Sequence, residues 1–179
     1  MAVSELKGFR AGSVQDLKMR LREIGTRRLV IVGVGNPLKG DDFAGSFIVK
    51  RLKSKLPRMT DRVLLLDAET TPESFVEQIR AFEPEATIFI DSAVAGCPPG
   101  TINLTDLEKT QYPYFCTHSV PLKLLGSVIG DSGRSFLLGI EPKTTEFGEK
   151  MSNEVKLACS SIVEAIYKTL KEAEETGHG

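Results

Sequence analysis

The sequence predicts an α/β fold: a three-layer sandwich with a mostly parallel, about five-stranded twisted sheet flanked by helices. Three observations carry that prediction. Continuous apolar runs at residues 29–34, 63–66 and 86–90 read as strands buried on both faces, the pattern parallel sheets require. Stretches of helical spacing lie between them, and strands alternating with helices give a parallel sheet. The chain has 179 residues, 41% of them hydrophobic, enough for one core and short for two.

Residues 1–28 form a basic N-terminal extension ahead of a single α/β domain at 29–175. Lys7, Arg10, Lys18, Arg20, Arg22, Arg27 and Arg28 stand against Glu5, Asp16 and Glu23, so seven minus three gives +4. Val14, Leu17, Leu21 and Ile24 fall on one helical stripe, with Ser13 as a candidate N-cap and Gly25 as a stop. Such an amphipathic helix either packs on the domain or serves as a docking arm for a protein partner.

The first strand runs to Val34. Residues 44–56 follow with helical spacing (Phe47, Ile48, Leu52, Leu56) and stop at Pro57. The second strand, 63–66, is closed by Asp67. Residues 72–82 read as a helix with Pro72 suited to its first turn. The third strand, 86–90, is closed by Asp91. After the Cys97-Pro98-Pro99-Gly100 turn, 101–104 is a short edge strand. Residues 120–129 look helical, 135–140 is another strand, and 152–173 is a long amphipathic helix with a frayed end beyond it.

Composition excludes several functions. Lys+Arg 23 against Asp+Glu 24 leaves a charge of −1, which suits neither nucleic acid nor an anionic membrane as main partner. No apolar run approaches the roughly 20 residues of a membrane helix, and the polar N-terminus lacks a signal-peptide core, so the chain reads as cytoplasmic. Three cysteines without CxxC spacing argue against a disulfide scaffold or a structural zinc site.

In an open parallel sheet, ligands bind beyond the C-terminal ends of the strands. The first strand runs into Gly33-Val34-Gly35-Asn36-Pro37-Leu38-Lys39-Gly40-Asp41-Asp42, and the next two end on Asp67 and Asp91. With neighbouring strands on either side of the first, Asp42 and Asp91 approach across a crevice and Asp67 stands nearby. Carboxylates gathered in one cleft need a cation, a shared proton or strong hydrogen bonds to coexist. A dinucleotide fingerprint would require Gly at position 38, where Leu38 stands, and Asp41 and Asp42 would repel a pyrophosphate. One of these two acids is expected to cap the following helix, leaving the other free. His118, in Cys116-Thr117-His118-Ser119, is the usable histidine, because His178 lies in the tail. Two carboxylates and one imidazole suit a borderline divalent metal such as nickel or zinc, with a position left open. Cys97 and Cys116 read as small buried residues.

These motifs resemble the [NiFe]-hydrogenase maturation endopeptidases, over residues 29 to about 170. Val32-Gly33-Val34-Gly35-Asn36-Pro37-Leu38 with Gly40-Asp41-Asp42 is similar to the family's opening motif. Leu66-Asp67 and Ile90-Asp91-Ser92-Ala93 match its second- and third-strand acids, and Thr117-His118-Ser119-Val120-Pro121-Leu122 its histidine motif. Leu138-Gly139-Ile140-Glu141-Pro142, with Gly148 and Ser152, resembles its C-terminal signature. Phe43 departs from the pattern, since many relatives have Gly there. The histidine and Leu-Gly-Ile forms look most like the branch that serves hydrogenase-3-type large subunits.

The resemblance implies an endopeptidase that removes a C-terminal extension from the hydrogenase large-subunit precursor after nickel insertion. It implies Asp42, Asp91 and His118 as metal contacts, Asp42 and Asp91 as candidate catalytic acids, and Asp67 as an additional acid. The nickel would arrive on the substrate and not be permanently bound; zinc or cadmium could occupy the same ligands. A monomer is expected, with no nucleic acid and no membrane insertion. The competing readings are a non-catalytic chaperone that inspects nickel and, further off, a peptidyl-tRNA hydrolase. The latter needs a histidine soon after its opening turn, and residues 36–58 contain none.

Overall fold

A computed structural model describes residues 14–24, 28–56, 61–108, 115–116 and 134–176, with 115–116 described as backbone. In chain order these form α1 (Val14–Ile24), β1 (Leu29–Val34), α2 (Ala44–Lys55), β2 (Val63–Glu69), α3 (Val76–Phe82), β3 (Ala86–Val94), β4 (Ile102–Asp106), β5 (Phe115–Cys116), β6 (Arg134–Ile140) and α4 (Asn153–Thr176). Single 3-10 turns at Gly40–Phe43 and Pro72–Phe75 lead into α2 and α3. The expected helix at 120–129 and the tail beyond 176 lie outside the described residues.

The sheet runs β2-β1-β3-β6-β4, parallel except for β4, which is antiparallel to β6 at one edge. That is the mostly parallel, five-stranded arrangement the apolar runs predict. β5 lies off this path and pairs antiparallel with the end of β3. From β1 the chain passes to β2 on one side and returns to β3 on the other. The order therefore reverses between β1 and β3, which is where open α/β sheets place their ligands.

Alternation splits the core in two. Leu29 and Ile31 of β1 and Ile88 and Ile90 of β3 pack with α1, α2 and α4, while Val30, Val32 and Phe89 pack with Ile79 of α3. Each fully buried aliphatic side chain contributes about 1.5–3 kcal/mol, so this two-sided burial dominates stability. The apolar stripe of α1 is used inside the molecule. Leu17, Leu21 and Ile24 are buried, and Arg22 pairs with Glu172 of α4 at 2.6 Å. Arg134 donates to the Ile24 carbonyl at 2.9 Å, tying the helix end to β6. Among the described residues, no helix is long and apolar enough to cross a membrane.

Two strand ends differ from the sequence expectation. Asp67 and Asp91 do not close their strands; β2 continues to Glu69 and β3 to Val94. The backbone beyond Asp91 still finds partners, since Asp91 pairs with Gly139, Ser92 with Ile140, and Ala93 with Cys116. A strand ends where its ladder partners end, not where a side chain turns polar.

Candidate active site

The ends of β1 and β3 meet α2 through close backbone approach. Gly33 of β1 lies against the carbonyl of Gly45 in α2, and Gly45 in turn lies against the carbonyls of Ile90 and Val34; a Cβ at either glycine would overlap these atoms. Gly35 has φ +147°, and its own Cβ would run into the Asp42 carbonyl. The glycine pattern after β1 thus brings helix, strand and turn together, and its role is packing.

Asn36 then organises the turn. Its side-chain oxygen accepts the Leu38 N–H at 2.9 Å, and its carbonyl accepts the Lys39 N–H at 3.1 Å. Its own N–H donates to Oδ2 of Asp42 at 3.0 Å. The Ser92 hydroxyl of β3 donates to Oδ1 of Asp42 at 3.1 Å. Asp42 is almost wholly buried, with a donor on each carboxylate oxygen.

Neighbouring Asp41 has a different task. Its Oδ2 accepts the N–H groups of Lys143 and Thr144 at 2.8 and 3.2 Å and the Ser152 hydroxyl at 2.9 Å. Oδ1 accepts the Ser152 N–H at 2.6 Å. Neither the 3-10 turn nor α2 has a side-chain cap bond, so the expectation that one of the two acids caps the helix is corrected. Lys39 and Phe43 hold the cap positions, and the buried Asp41 carboxylate reaches the 143–152 loop. Ser152 itself caps α4, accepting the Val155 N–H at 3.4 Å.

Asp91 is fully buried on β3, opposite Gly139 of β6. Strand alternation places it on the face of Phe89, whereas Ser92 shares the face of Ile90. The end of β3 therefore offers Asp91 on one face and the donor to Asp42 on the other. His118 lies outside the described residues. Cys116, two positions before it, pairs in β5 with Ala93, two positions after Asp91. No cluster of three His, Cys, Asp or Glu side chains able to hold a metal is found among the described residues.

Asp67 turns toward α2. It accepts a hydrogen bond from the Ser46 hydroxyl and an ion pair from Lys50 at 3.2 Å. The Lys50 ammonium also lies 5.1 Å from the centre of the Phe43 ring. Residue 43, where many relatives were expected to carry Gly, thus stacks beneath the cation that partners Asp67.

Glu141, which follows β6, was expected only as part of a signature. Buried, it accepts the N–H groups of Ala95 and Gly96 at 2.8 and 3.2 Å and fixes the loop leaving β3. Cys97, expected as a buried residue, is only half-buried because it follows the exposed Gly96 in the loop leaving β3; burial, followed by the Glu141 charge, raises the pKa of its thiol. Cys159 is buried in α4, and burial pushes its thiol up to about 12. Ser92, Ser46 and Lys50 escape a reading of the sequence because their partners are distant in the chain; the one local signal is that Ser92 directly follows Asp91.

Comparison with known proteins agrees with this architecture. A model of the hydrogenase maturation protease family (HycI) matches residues 47–169. The hydrogenase 3 maturation protease of Escherichia coli K12 is 29% identical over 150 residues, covering 83% of this chain and 92% of that protein. The crystal structure of the [NiFe] hydrogenase maturation protease HycI from Thermococcus kodakarensis KOD1 superposes with a TM-score of 0.74 at 32% identity, covering 82% of this chain and 94% of that one. A crystal structure of the hydrogenase 3 maturation protease gives 0.65 at 28% identity, covering 79% and 87%.

Proposed function

The chain belongs to the hydrogenase maturation protease family, and from that premise we propose that it removes the C-terminal extension of a [NiFe]-hydrogenase large-subunit precursor after nickel insertion. The observation that carries this reading is the Asp42 carboxylate, held by Ser92 against the strand that carries Asp91, at the point where strand order reverses. Asp42, Asp91 and His118 are the residues assigned to contact the nickel, which arrives as part of the substrate. An incoming cation neutralises carboxylates gathered at one crevice, so recognition and electrostatics work together. Cadmium or zinc fits the same oxygen and nitrogen donors.

Two chemistries suit these residues. In one, the substrate's nickel polarises the scissile carbonyl or a water while Asp42 and Asp91 orient it. In the other, Asp42 and Asp91 act as general acid and base, as in an aspartic-type endopeptidase. Asp67, committed to Ser46 and Lys50, supports α2 in either scheme. The protein acts as a cytoplasmic monomer in this reading.

The test is incubation with large-subunit precursor, with and without inserted nickel, followed by intact-mass measurement of the precursor. A shortened C-terminus only in the nickel-loaded sample is expected, lost with Asp42→Asn, Asp91→Asn or His118→Ala. Binding without shortening favours a nickel-checking chaperone. Normal cleavage by both Asn variants refutes the assigned site, and cleavage regardless of nickel removes the metal-recognition step.

A further inference from the structure

We propose that Ser92 is a positioning residue for Asp42, an inference that rests on the proteolytic reading above. Along β3 the positions facing α2 and α4 are Ile88, Ile90 and then Ser92, so the pattern calls for an apolar side chain where the serine stands. Ser92 is fully buried, and a buried hydroxyl costs free energy unless it is hydrogen-bonded. It donates to Oδ1 of Asp42 at 3.1 Å, while the backbone of Asn36 donates to Oδ2 at 3.0 Å. The two donors come from different elements, one from the β1–α2 turn and one from β3. Together they fix the plane of a carboxylate carried on a single 3-10 turn.

The location of the donor matters as much as the bond. β3 pairs with β1 on one side and β6 on the other, making it the strand best able to hold a reference position. Ser92 also adjoins Asp91 in sequence, so one backbone segment sets both acids of the assigned site. A carboxylate accepts hydrogen bonds at about four lone-pair positions, and these two donors engage one position on each oxygen. Loss of the Ser92 donor frees Asp42 to rotate, and a misplacement of about 1 Å at a reacting group can cost on the order of 100-fold in rate.

The experiment is steady-state cleavage of nickel-loaded precursor by Ser92→Ala, Ser92→Thr and Asp42→Asn. For Ser92→Ala the expected result is a kcat about tenfold lower, with KM for the precursor within about twofold of wild type. Ser92→Thr, which keeps the hydroxyl, should return kcat to within about threefold of wild type. A merely structural role would lower the active fraction and would not separate Thr from Ala once rates are normalised to folded protein. If Ser92→Ala does not fold, Ser92→Cys keeps the shape with a somewhat larger atom and a weaker donor, and the same selective loss in kcat is expected. Wild-type kcat in folded Ser92→Ala or Ser92→Cys overturns the inference, as does Ser92→Thr as slow as Ser92→Ala, or a change confined to KM. Full activity of Asp42→Asn removes Asp42 from the assigned site and this inference with it; an inert Asp42→Asn beside a fully active Ser92→Ala removes this inference alone.

Discussion

Asp41 grips Ser152 across 111 positions of chain, its Oδ1 accepting the serine N–H at 2.6 Å and its Oδ2 the hydroxyl at 2.9 Å. With the N–H groups of Lys143 and Thr144, four donors converge on one fully buried carboxylate. The turn that carries Asp42 is thereby fastened to the residue that caps α4. Two loops distant in sequence are joined in this way.

Asp41→Asn tests that fastening. The amide leaves one acceptor oxygen and turns an NH2 toward donors, so buried N–H groups lose their partner. The variant should be less stable by roughly 2–4 kcal/mol, seen as a lower urea midpoint at unchanged m-value. Ser152→Ala removes one donor and the cap, and should cost about 1 kcal/mol. Equal midpoints for Asp41→Asn and wild type would show that the carboxylate is not the fastening.

The sheet was readable because its strands are apolar on both faces, a pattern that β1, β2 and β3 display over four or more residues. The acidic positions were readable for the same reason, since each stands out beside an apolar run. What could not be read is which way each acid turns. Asp41 and Asp42 are chain neighbours of identical chemistry, and only the 143–152 loop and Ser92 give them different tasks. Asp67 looks like Asp91 in sequence, yet Ser46 and Lys50 of α2 draw it away. β5 is two residues long and defined by its pairing to β3, so it has no periodicity to detect.

The close approach at Gly45 predicts a sharp contrast between two glycine substitutions. Gly45→Ala forces a methyl group into the carbonyls of Ile90 and Val34, which are backbone and cannot swing aside. It should cost upward of about 4 kcal/mol or abolish folding, despite the better helix propensity of Ala. Gly148, at φ +82°, has open space around its missing Cβ. There Ala meets only the left-handed backbone penalty of about 1–2 kcal/mol. Thermal melts of the two variants decide it, and a Gly45→Ala melt near wild type would contradict the packing described.

Asp67 should prove separable from the assigned site. Its ion pair with Lys50 is part-exposed, with the lysine side chain 44% accessible, so screening limits it to about 1 kcal/mol or less. Asp67→Asn is expected to lose about that much stability and to keep cleavage within severalfold of wild type. Measured beside Asp42→Asn on the same precursor, an equally complete loss would place Asp67 in the chemistry.

Cys159 makes the folded state sensitive to alkaline pH in a calculable direction. Its Sγ lies 4.0 Å from the Ala44 carbonyl, and burial, then the charge of Asp41, pushes its pKa from 9.0 up to about 12. Above pH 9 the thiol of the unfolded chain releases its proton while the native thiol holds it, so the native state binds more protons in that window. Stability from this group is fully present below pH 9 and is lost as pH rises toward about 12, by at most about 4 kcal/mol. Cys159→Ala forfeits some packing at every pH but lacks this slope. The gap in urea-unfolding free energy between wild type and Cys159→Ala should therefore narrow between about pH 8.5 and about pH 10.5. A gap that stays constant across that range would mean the thiol is not held protonated by the fold.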